Sequence, residues 1–334
     1  PSIVPPPQRI GPRTEPRTTK ALRIPAGAIV NSPGWTVHLH CCDRTWIRGV
    51  KLVNHLFGPN TDGFDINGCN DVMLSDCFIE CADDAIVLKA SMDSRACQRV
   101  TVTNCVIRTN CVALKCGTES WHDFRQITFS NCTIFGSSRA FGLYCLDGGT
   151  IEDVAVSNIV CDTDCGMVLN RPIHIDLRKR PVKPGAFDSR PLDQQPIGLI
   201  RNVTISNFIA RTDGRILMTA ADGGRLENIT LRDVRMSYPL VDDPQPTAPA
   251  ATSTQFSNAS PEARAARAAV VAQNIDNLAI HDLCIDWPDR AGPPAPGTLW
   301  ARGERFESGG VRQFTAKAGQ PVAATDVPPF PVLW

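Results

Sequence analysis

The chain has 334 residues, of which 43% are hydrophobic, and its 34 basic side chains balance 34 acidic ones. This balance excludes the basic excess that is typical of nucleic-acid-binding proteins, so no nucleic-acid partner is expected. No run of roughly 18 apolar residues is present, so the sequence predicts no membrane span and no membrane partner.

An eight-residue phrase of alternating apolar and polar residues recurs along the chain. Counted from a divergent first copy at residues 45–52, successive copies start 27, 28, 27, 27, 49, 26 and 49 residues apart. The clear copies are Val72–Ile79, Val100–Ile107, Ile127–Ile134, Val154–Cys161, Val203–Ala210, Ile229–Met236 and Leu278–Ile285. A period of two, with many Val, Ile and Thr residues, predicts β-strands and not helices.

Each copy changes phase at an Asn or Asp, after which the alternation resumes. These residues tolerate the left-handed backbone of a sharp bend, and their side chains can hydrogen-bond in a ladder when rungs stack. The bend residues are Asp76, Asn104, Asn131, Asn158, Asn207, Asp233 and Asp282. Strands and bends repeated at this interval predict an all-β fold, a right-handed parallel β-helix with rungs of about 27 residues.

The 14 cysteines do not form a disulfide framework, because the chain is large and their spacing follows the repeat. Cys77, Cys105 and Cys132 occupy one repeat position on three successive rungs. Three stacked residues cannot all pair, so we expect buried free thiols that pack as small hydrophobic groups. No C-x-x-C pair and no Cys and His cluster with zinc spacing is present, so no metal site is predicted.

We expect one domain over residues 1–334. The chain begins abruptly at Pro1, so the cap that a solenoid needs over its first rung is expected to be absent. The two 49-residue gaps predict a rung plus a surface insertion each, near residues 178–195 and 241–261. Residues 288–334 are expected to form an irregular tail with one strand near Val311–Ala316.

Carboxylates concentrate on two adjacent predicted rungs, in the segments Gly58–Asp65 and Glu80–Lys89. Asp62 and Asp83 are 21 residues apart, so we expect them side by side, and a bend lets Asp83 and Asp84 reach one cleft. Such crowding raises the pKa of one carboxyl and leaves its partner ionised, which is what the acid and base of glycoside hydrolysis require. A solvated acidic corner or a calcium site remains an alternative from the carboxylates alone.

The segments Asn60-Thr-Asp-Gly63 and Asp83-Asp84, at this spacing within such rungs, resemble the polygalacturonases of glycoside hydrolase family 28. Residues 31–38, which read Asn-Ser-Pro-Gly-Trp-Thr-Val-His, also resemble that family's approach to its site. The resemblance implies an inverting hydrolase of a pectic polysaccharide, a galacturonan or a rhamnogalacturonan, that needs no cofactor. It implies that Asp83 is the general acid, while Asp62 and Asp84 hold and deprotonate the attacking water.

The sequence departs from the family pattern at two places. Aligning residues 84–89 with 110–115 puts Asn110 where the polygalacturonases have the His of a Gly-His-Gly motif. The next rung carries Gly142–Leu146 in place of an Arg-Ile-Lys triplet that binds galacturonate, and rhamnogalacturonan-cleaving relatives also lack the His. Lys89 and Lys115, on adjacent rungs, are candidate replacement cations, although exposed strand lysines would give the same pattern.

Further candidate substrate-binding residues are Asn60, His122 and Arg139. His122 follows the rung of Lys115 in a corner loop and could equally be a solvated histidine. Trp121 could stack on a sugar ring or pack in the core, and Asp147 could bind sugar hydroxyls.

Two other functions remain open on the same fold. A polysaccharide lyase would need a cation or a basic residue beside the uronate carboxylate, and a carbohydrate-binding β-helix would need no catalytic group. A polymeric substrate predicts a secreted or periplasmic protein, and we expect a monomer whose partner is a polysaccharide or oligosaccharide.

Overall fold

The computed structural model describes residues 21–165, 170–180, 191–239, 269–286, 299–302 and 314–316. This part of the chain is almost entirely β-strand, with one 3-10 turn at Leu192–Gln194. Its strands, in chain order, are β1 (Leu22–Ile24), β2 (Gly27–Val30), β3 (Val37–His40), β4 (Asp43–Arg48), β5 (Val50–Val53), β6 (Phe64–Asn67), β7 (Asn70–Ser75), β8 (Phe78–Cys81), β9 (Ile86–Ala90), β10 (Cys97–Thr103), β11 (Val106–Thr109), β12 (Val112–Ser120), β13 (Phe124–Ile134), β14 (Arg139–Cys145), β15 (Thr150–Thr163), β16 (Arg171–Leu177), β17 (Leu199–Thr212), β18 (Ile216–Ala220), β19 (Leu226–Ser237), β20 (Val270–Gln273), β21 (Ile275–Asp286), β22 (Leu299–Arg302) and β23 (Phe314–Ala316).

All pairs of these strands are parallel, and they form two sheets that coil around one core. The nine-stranded sheet runs β3-β6-β9-β12-β14-β16-β18-β20-β22, so each rung contributes one strand to it. The main path of the fourteen-stranded sheet is β1-β4-β7-β10-β13-β15-β17-β19-β21-β23. The strands β2, β5, β8 and β11 pair with one another in that order, and β11 also pairs with the second half of β13. Parallel crossover connections of this kind are right-handed. The predicted right-handed parallel β-helix is confirmed.

The register of the rungs follows the sequence repeat. Val100 pairs with Val72 on one side and with Ile127 on the other, which are the first positions of successive phrases. The first 49-residue interval also spans a single rung, because Val154 pairs directly with Val203. Alternate side chains point inward and bury a continuous column of Val, Ile, Leu, Phe and Cys along the coil. That column stabilises the stack, because no single rung can bury an apolar face alone.

The predicted bend residues all adopt the left-handed backbone conformation, with φ between 52° and 59°. Their side chains form the expected ladder where Asn158 donates to Asn131 and Asn207 donates to Asn158, each at 2.9 Å. A second ladder, which the sequence reading missed, lies at the start of the same strands. In it Asn228 donates to Asn202 and Asn277 donates to Asn228, at 3.0 and 2.7 Å.

The stack of Cys77, Cys105 and Cys132 is present on three neighbouring rungs, and each thiol is at most 2% exposed. All fourteen cysteines are free thiols, as the repeat spacing predicts. Their contribution is packing in a close-fitting core, where each sulfur fills the volume of a small aliphatic group.

The insertions and the tail fall largely outside the described residues. Within the first insertion the structure describes residues 178–180 and 191–195, and the second, at 241–261, lies outside it. The tail is described only at β22 and β23, and β23 falls inside the predicted strand at Val311–Ala316. Among the described residues no helix has the length and apolarity to cross a membrane.

Candidate active site

The predicted catalytic carboxylates lie just before the first residues of β6 and β9, two neighbouring strands of the nine-stranded sheet. Phe64 pairs with Ile86, and this register sets Asp62 beside Asp84 on the next rung, one residue away from the predicted partner Asp83. The two rungs approach closely because residue 63 is a glycine: a Cβ at Gly63 would lie 2.3 Å from the carbonyl oxygen of Ala85. The sequence Thr-Asp-Gly therefore brings an aspartate to the point of closest contact between rungs.

Asp83 and Asp84 occupy the bend between β8 and β9, as the sequence predicts. The Asp83 side chain is half-buried, and its Oδ1 accepts a hydrogen bond of 2.9 Å from the N–H of Asp84. The Asp83 carbonyl accepts hydrogen bonds from the Thr109 hydroxyl and the Cys81 thiol. These contacts fix the bend, so that Asp84 turns into the protein at 3% exposure while Asp83 faces outward.

The alignment that puts Asn110 opposite Asp84 is wrong by two residues. Leu114 pairs with Ile86, which sets Val112 at the level of Asp84. Asn110 lies in the preceding corner and donates its amide at 2.5 Å to the carbonyl of Leu56. Val112, an apolar residue, therefore takes the position opposite Asp84 that the sequence alignment gave to Asn110.

Lys89 lies at the centre of a group of acidic side chains. Its ammonium nitrogen is 3.3 Å from Asp65, 3.3 Å from Glu119 and 3.9 Å from Asp62. The same nitrogen lies 4.1 Å from the ring centroid of Trp35, which is a cation–π contact. Lys89 is 5% exposed, so its role as an exposed strand lysine is excluded.

Lys115 is the second buried cation and binds Asp84 directly. Its Nζ donates a hydrogen bond of 2.5 Å to Asp84 Oδ2. It also lies 5.3 Å from the ring centroid of Tyr144, whose hydroxyl is 3.0 Å from His174 Nδ1. The Tyr144 ring extends back over Gly142, where a Cβ would be 2.5 Å from it. Tyr144 thus lies within the Gly142–Leu146 stretch that the sequence analysis aligned with the family's Arg-Ile-Lys triplet.

The two buried aspartates have opposite pKa shifts. Burial, together with the charges of Asp65 and Asp84, raises the pKa of Asp62 to about 9. Burial alone would also raise the pKa of Asp84, but the ammonium groups of Lys115 and Lys89 outweigh it and lower that pKa below its ordinary value. Near neutral pH, Asp62 is therefore protonated and Asp84 is ionised.

Two carboxylates that the sequence reading missed belong to the same group. Asp65 is fully buried, and burial, partly offset by Lys89, raises its pKa to about 7. Glu119 is partly buried, and Lys89, Lys115 and Arg180 outweigh the effect of burial and lower its pKa to about 2. Asp65 lies in β6, three residues after Asp62, and alternates with the buried Phe64 and Ile66, which is a visible signal. Glu119 reaches the group through an irregularity in the pairing of β12 with β9, which the repeat does not reveal.

The remaining candidates lie at different distances from this group. Asn60 is exposed in the turn before Asp62 and adopts a φ of 52°. His122 contacts the carbonyl of Met92 at 3.4 Å, so it belongs to a neighbouring corner.

Arg139 is 5% exposed, pairs in the sheet with Val112, and its Nη1 lies 3.7 Å from Cys111 Sγ. Asp147 is held by Arg180 in an ion pair with an N–O distance of 2.7 Å.

One set of side chains has the spacing of metal ligands. Oxygen atoms of Asp83 and Asp84 and the sulfur of Cys111 lie within 4.8 Å of one another. Lys115 and Arg139 are in direct contact with Asp84 and Cys111 respectively. A cation bound there would meet the positive charges of Lys115 and Arg139 as well as the two carboxylates, and the absence of a metal stays a prediction.

The chain belongs to glycosyl hydrolases family 28, whose family model matches residues 16–255. This match covers the part of the coil that carries Asp62, Asp83 and Asp84, and the predicted family is confirmed.

The chain is similar to probable polygalacturonases of plants. A probable polygalacturonase of Vitis vinifera is 32% identical over 65 residues, which is 20% of this chain and 13% of that protein. A probable polygalacturonase of Arabidopsis thaliana is 20% identical over 221 residues, which is 64% of this chain and 47% of that protein. The chain therefore spans about half the length, or less, of these relatives.

Solved structures show the same fold. An exopolygalacturonase from Thermotoga maritima has a TM-score of 0.51 at 20% identity, over 63% of this chain and 46% of that one. A polygalacturonase from Erwinia carotovora also has a TM-score of 0.51, at 15% identity, over 63% of this chain and 52% of that one.

Proposed function

We propose that the protein hydrolyses a glycosidic bond in a pectin-type polysaccharide, a galacturonan or rhamnogalacturonan, with inversion at the anomeric carbon. The observation that carries the proposal is the pair Asp62 and Asp84, adjacent on neighbouring rungs and with opposite pKa shifts. Family membership and the polygalacturonase relatives support the same reaction class.

In the proposed mechanism the attacking water lies between Asp62 and Asp84. Ionised Asp84 is the base that removes a proton from the water, while the protonated carboxyl of Asp62 orients it by a hydrogen bond. Asp83 is the most exposed of the three, so it is the group that can reach the glycosidic oxygen and protonate it as the bond breaks.

Cations beside the acids favour an anionic sugar. Lys89, Lys115 and Arg139 are the proposed partners of a uronate carboxylate, with Asn60 at the rim and Asn110 and His122 in the adjoining corners. In the structure Lys89 and Lys115 are paired with the protein's own carboxylates, so a bound uronate would compete with Asp84 and Glu119 for them. We therefore expect the preference between galacturonan and rhamnogalacturonan to depend on how easily a uronate carboxylate displaces Asp84 from Lys115 and Glu119 from Lys89.

A lyase mechanism is less compatible with the same geometry. A lyase base must accept a proton from carbon, and the lysines are the basic groups nearest the site. Burial would lower the pKa of Lys115, but Asp84 outweighs that effect and raises it, so Lys115 stays protonated. Glu119 and Asp65 have the same effect on Lys89.

The test is product formation from homogalacturonan, rhamnogalacturonan and neutral pectic side chains. We expect new reducing ends from one acidic polymer, no ultraviolet absorbance of an unsaturated uronide, and a first product of inverted anomeric configuration by proton NMR. Release should depend on Asp83 and be lost in Asp83→Asn. Unsaturated product would show a lyase, and absence of release from every polymer by the folded protein would contradict the proposal.

A polymeric substrate of this kind lies outside the cell, so we propose that the protein is secreted or periplasmic. We also propose that it acts as a monomer.

A further inference from the structure

We propose that Trp35 is a sugar-stacking platform, a subsite that holds one pyranose ring of the polysaccharide through its C–H face on the N-terminal side of the aspartates. The inference deepens the proposed function and rests on it for the identity of the ligand. It is carried by the position, exposure and contacts of the Trp35 ring.

The position of Trp35 is fixed relative to Asp62. The residue directly after it, Thr36, donates its N–H to the carbonyl of Asp62 at 3.0 Å, and the N–H of Val37 bonds to the carbonyl of Gly63 at the same distance. The Thr36 hydroxyl is also held by the amide of Asn54, at 2.7 Å. Trp35 thus lies one rung, about 4.8 Å, from the backbone of Asp62.

Exposure distinguishes Trp35 from the groups around it. The Trp35 side chain is 41% exposed, whereas Asp62 and Lys89 are at most 5% exposed. Removing a large aromatic ring from water is favourable. The exposed indole therefore offers apolar surface on which a ligand can gain free energy by packing. Tyr144, farther along the same sheet, is 3% exposed and presents no such surface.

Contacts hold the ring in one orientation. The ammonium of Lys89 lies 4.1 Å from the ring centroid and covers one face of the indole. The imidazole of His38 meets it edge-on, with centroids 5.0 Å apart and planes at 82°. A rigid ring supported on one face and exposed elsewhere loses little conformational entropy when a ligand packs on it.

The chemistry of the exposed ring selects a pyranose. One face of such a sugar presents C–H groups to an aromatic ring while its hydroxyls point to the rim and to water. Because Lys89 joins Trp35 to Asp62 and Asp65, a sugar packed on the indole would be next to the sugar attacked at the aspartates. Trp35 would therefore hold the polymer in register with the cleavage point.

The experiment measures binding of oligosaccharide fragments of polygalacturonate and of rhamnogalacturonan by calorimetry, in the Asp83→Asn background. Adding Trp35→Ala should raise the Kd about tenfold, while Trp35→Phe should keep it within about threefold of the parent. The matched control is Trp46→Ala, since Trp46 is 39% exposed on the other sheet and also contacts a cation, Arg23. That variant should bind as the parent does.

Fluorescence separates direct stacking from an indirect effect through Lys89. Titrating the oligosaccharide should change the tryptophan emission of the parent and of Trp46→Ala. Trp35→Phe should bind without that change, because the reporting indole is absent while an aromatic face remains. Loss of the emission change only in variants at position 35 supports contact between the sugar and this ring.

The outcomes distinguish the subsite from the reaction. Unchanged affinity in Trp35→Ala, with the wild-type protein still releasing reducing ends, would overturn the subsite and leave the hydrolase. Binding that depends on Trp35 without any release would support the subsite and overturn hydrolysis. Equal losses in Trp35→Ala and Trp46→Ala, or no binding by any form, would overturn the subsite.

Discussion

Replacing Asp62 with asparagine should raise the free energy of unfolding at neutral pH. In the unfolded chain an aspartate has a pKa of about 3.9, whereas burial and the neighbouring carboxylates raise the folded value to about 9. Between these values the folded protein binds a proton that the unfolded chain has released. Stability therefore falls as pH rises from about 4 to about 9. Asparagine has the shape of the protonated acid and does not titrate, so Asp62→Asn removes this penalty.

The magnitude follows from the interval between the unfolded pKa and the working pH. About three pH units separate 3.9 from 7, and each contributes about 1.4 kcal/mol, which gives an upper limit of about 4 kcal/mol. Relaxation and water penetration reduce such penalties in real interiors. Coupling to Asp65 divides the effect between two groups. We expect Asp62→Asn to stabilise the protein by about 1–3 kcal/mol at pH 7.

The assay is urea denaturation of the wild type and Asp62→Asn at several values between pH 5 and pH 8. The stability difference should grow with pH across this window. Asp76→Asn is the matched control, because Asp76 is exposed and its pKa is lowered by hydrogen bonds from Ser75 and Asn104, so it is ionised in both states. A difference that is independent of pH, or a loss of stability in Asp62→Asn at every pH, would refute the reasoning.

The other predictions concern stability and thiol chemistry. Lys115→Met should destabilise the protein by about 3–5 kcal/mol in urea, because it leaves the buried charge of Asp84 without its hydrogen-bonded partner. Arg48→Met breaks only an exposed ion pair and should cost far less, so equal losses would contradict this. Asn158→Ala should cost about 1–2 kcal/mol in the same assay, because it removes ladder hydrogen bonds at a residue with a φ of 54°, and an unchanged midpoint would count against the ladder. Thiol titration should find all fourteen cysteines after denaturation without reductant and only a few in the folded protein, whereas fewer than fourteen would reveal disulfides.

The fold could be predicted from the sequence because one signal repeats on every rung. The alternation of residues and the Asn or Asp at each bend depend on local backbone preferences, and each copy reinforces the others. The stack of Cys77, Cys105 and Cys132 follows directly, since equal positions in a repeat become neighbours in space.

The site could be predicted only in part. That Asp62 lies near Asp83 and Asp84 could be predicted from two short motifs on adjacent rungs, and their catalytic roles stay predictions. The alignment of Asn110 with Asp84 was wrong by two residues. The phrases at Val72 and Val100 are 28 residues apart, and carrying that interval across the corner would have given Val112. The cage of Asp65, Glu119 and Trp35 around Lys89 depends on side-chain directions and on an irregular strand, which no periodic pattern encodes.

The most direct test of the central claim compares turnover of the cleaved polymer by the wild type, Asp62→Asn, Asp83→Asn and Asp84→Asn, with Asp76→Asn as the control. Loss of a general acid or base costs about 100-fold to 10,000-fold, so Asp83→Asn and Asp84→Asn should each lose at least about two orders of magnitude in kcat. Asp62→Asn should lose less, because its amide can still donate the hydrogen bond that orients the water. The control should stay within about twofold of the wild type, because asparagine occupies the equivalent bend at Asn104 and Asn131. Wild-type turnover in folded Asp83→Asn or Asp84→Asn would contradict the account.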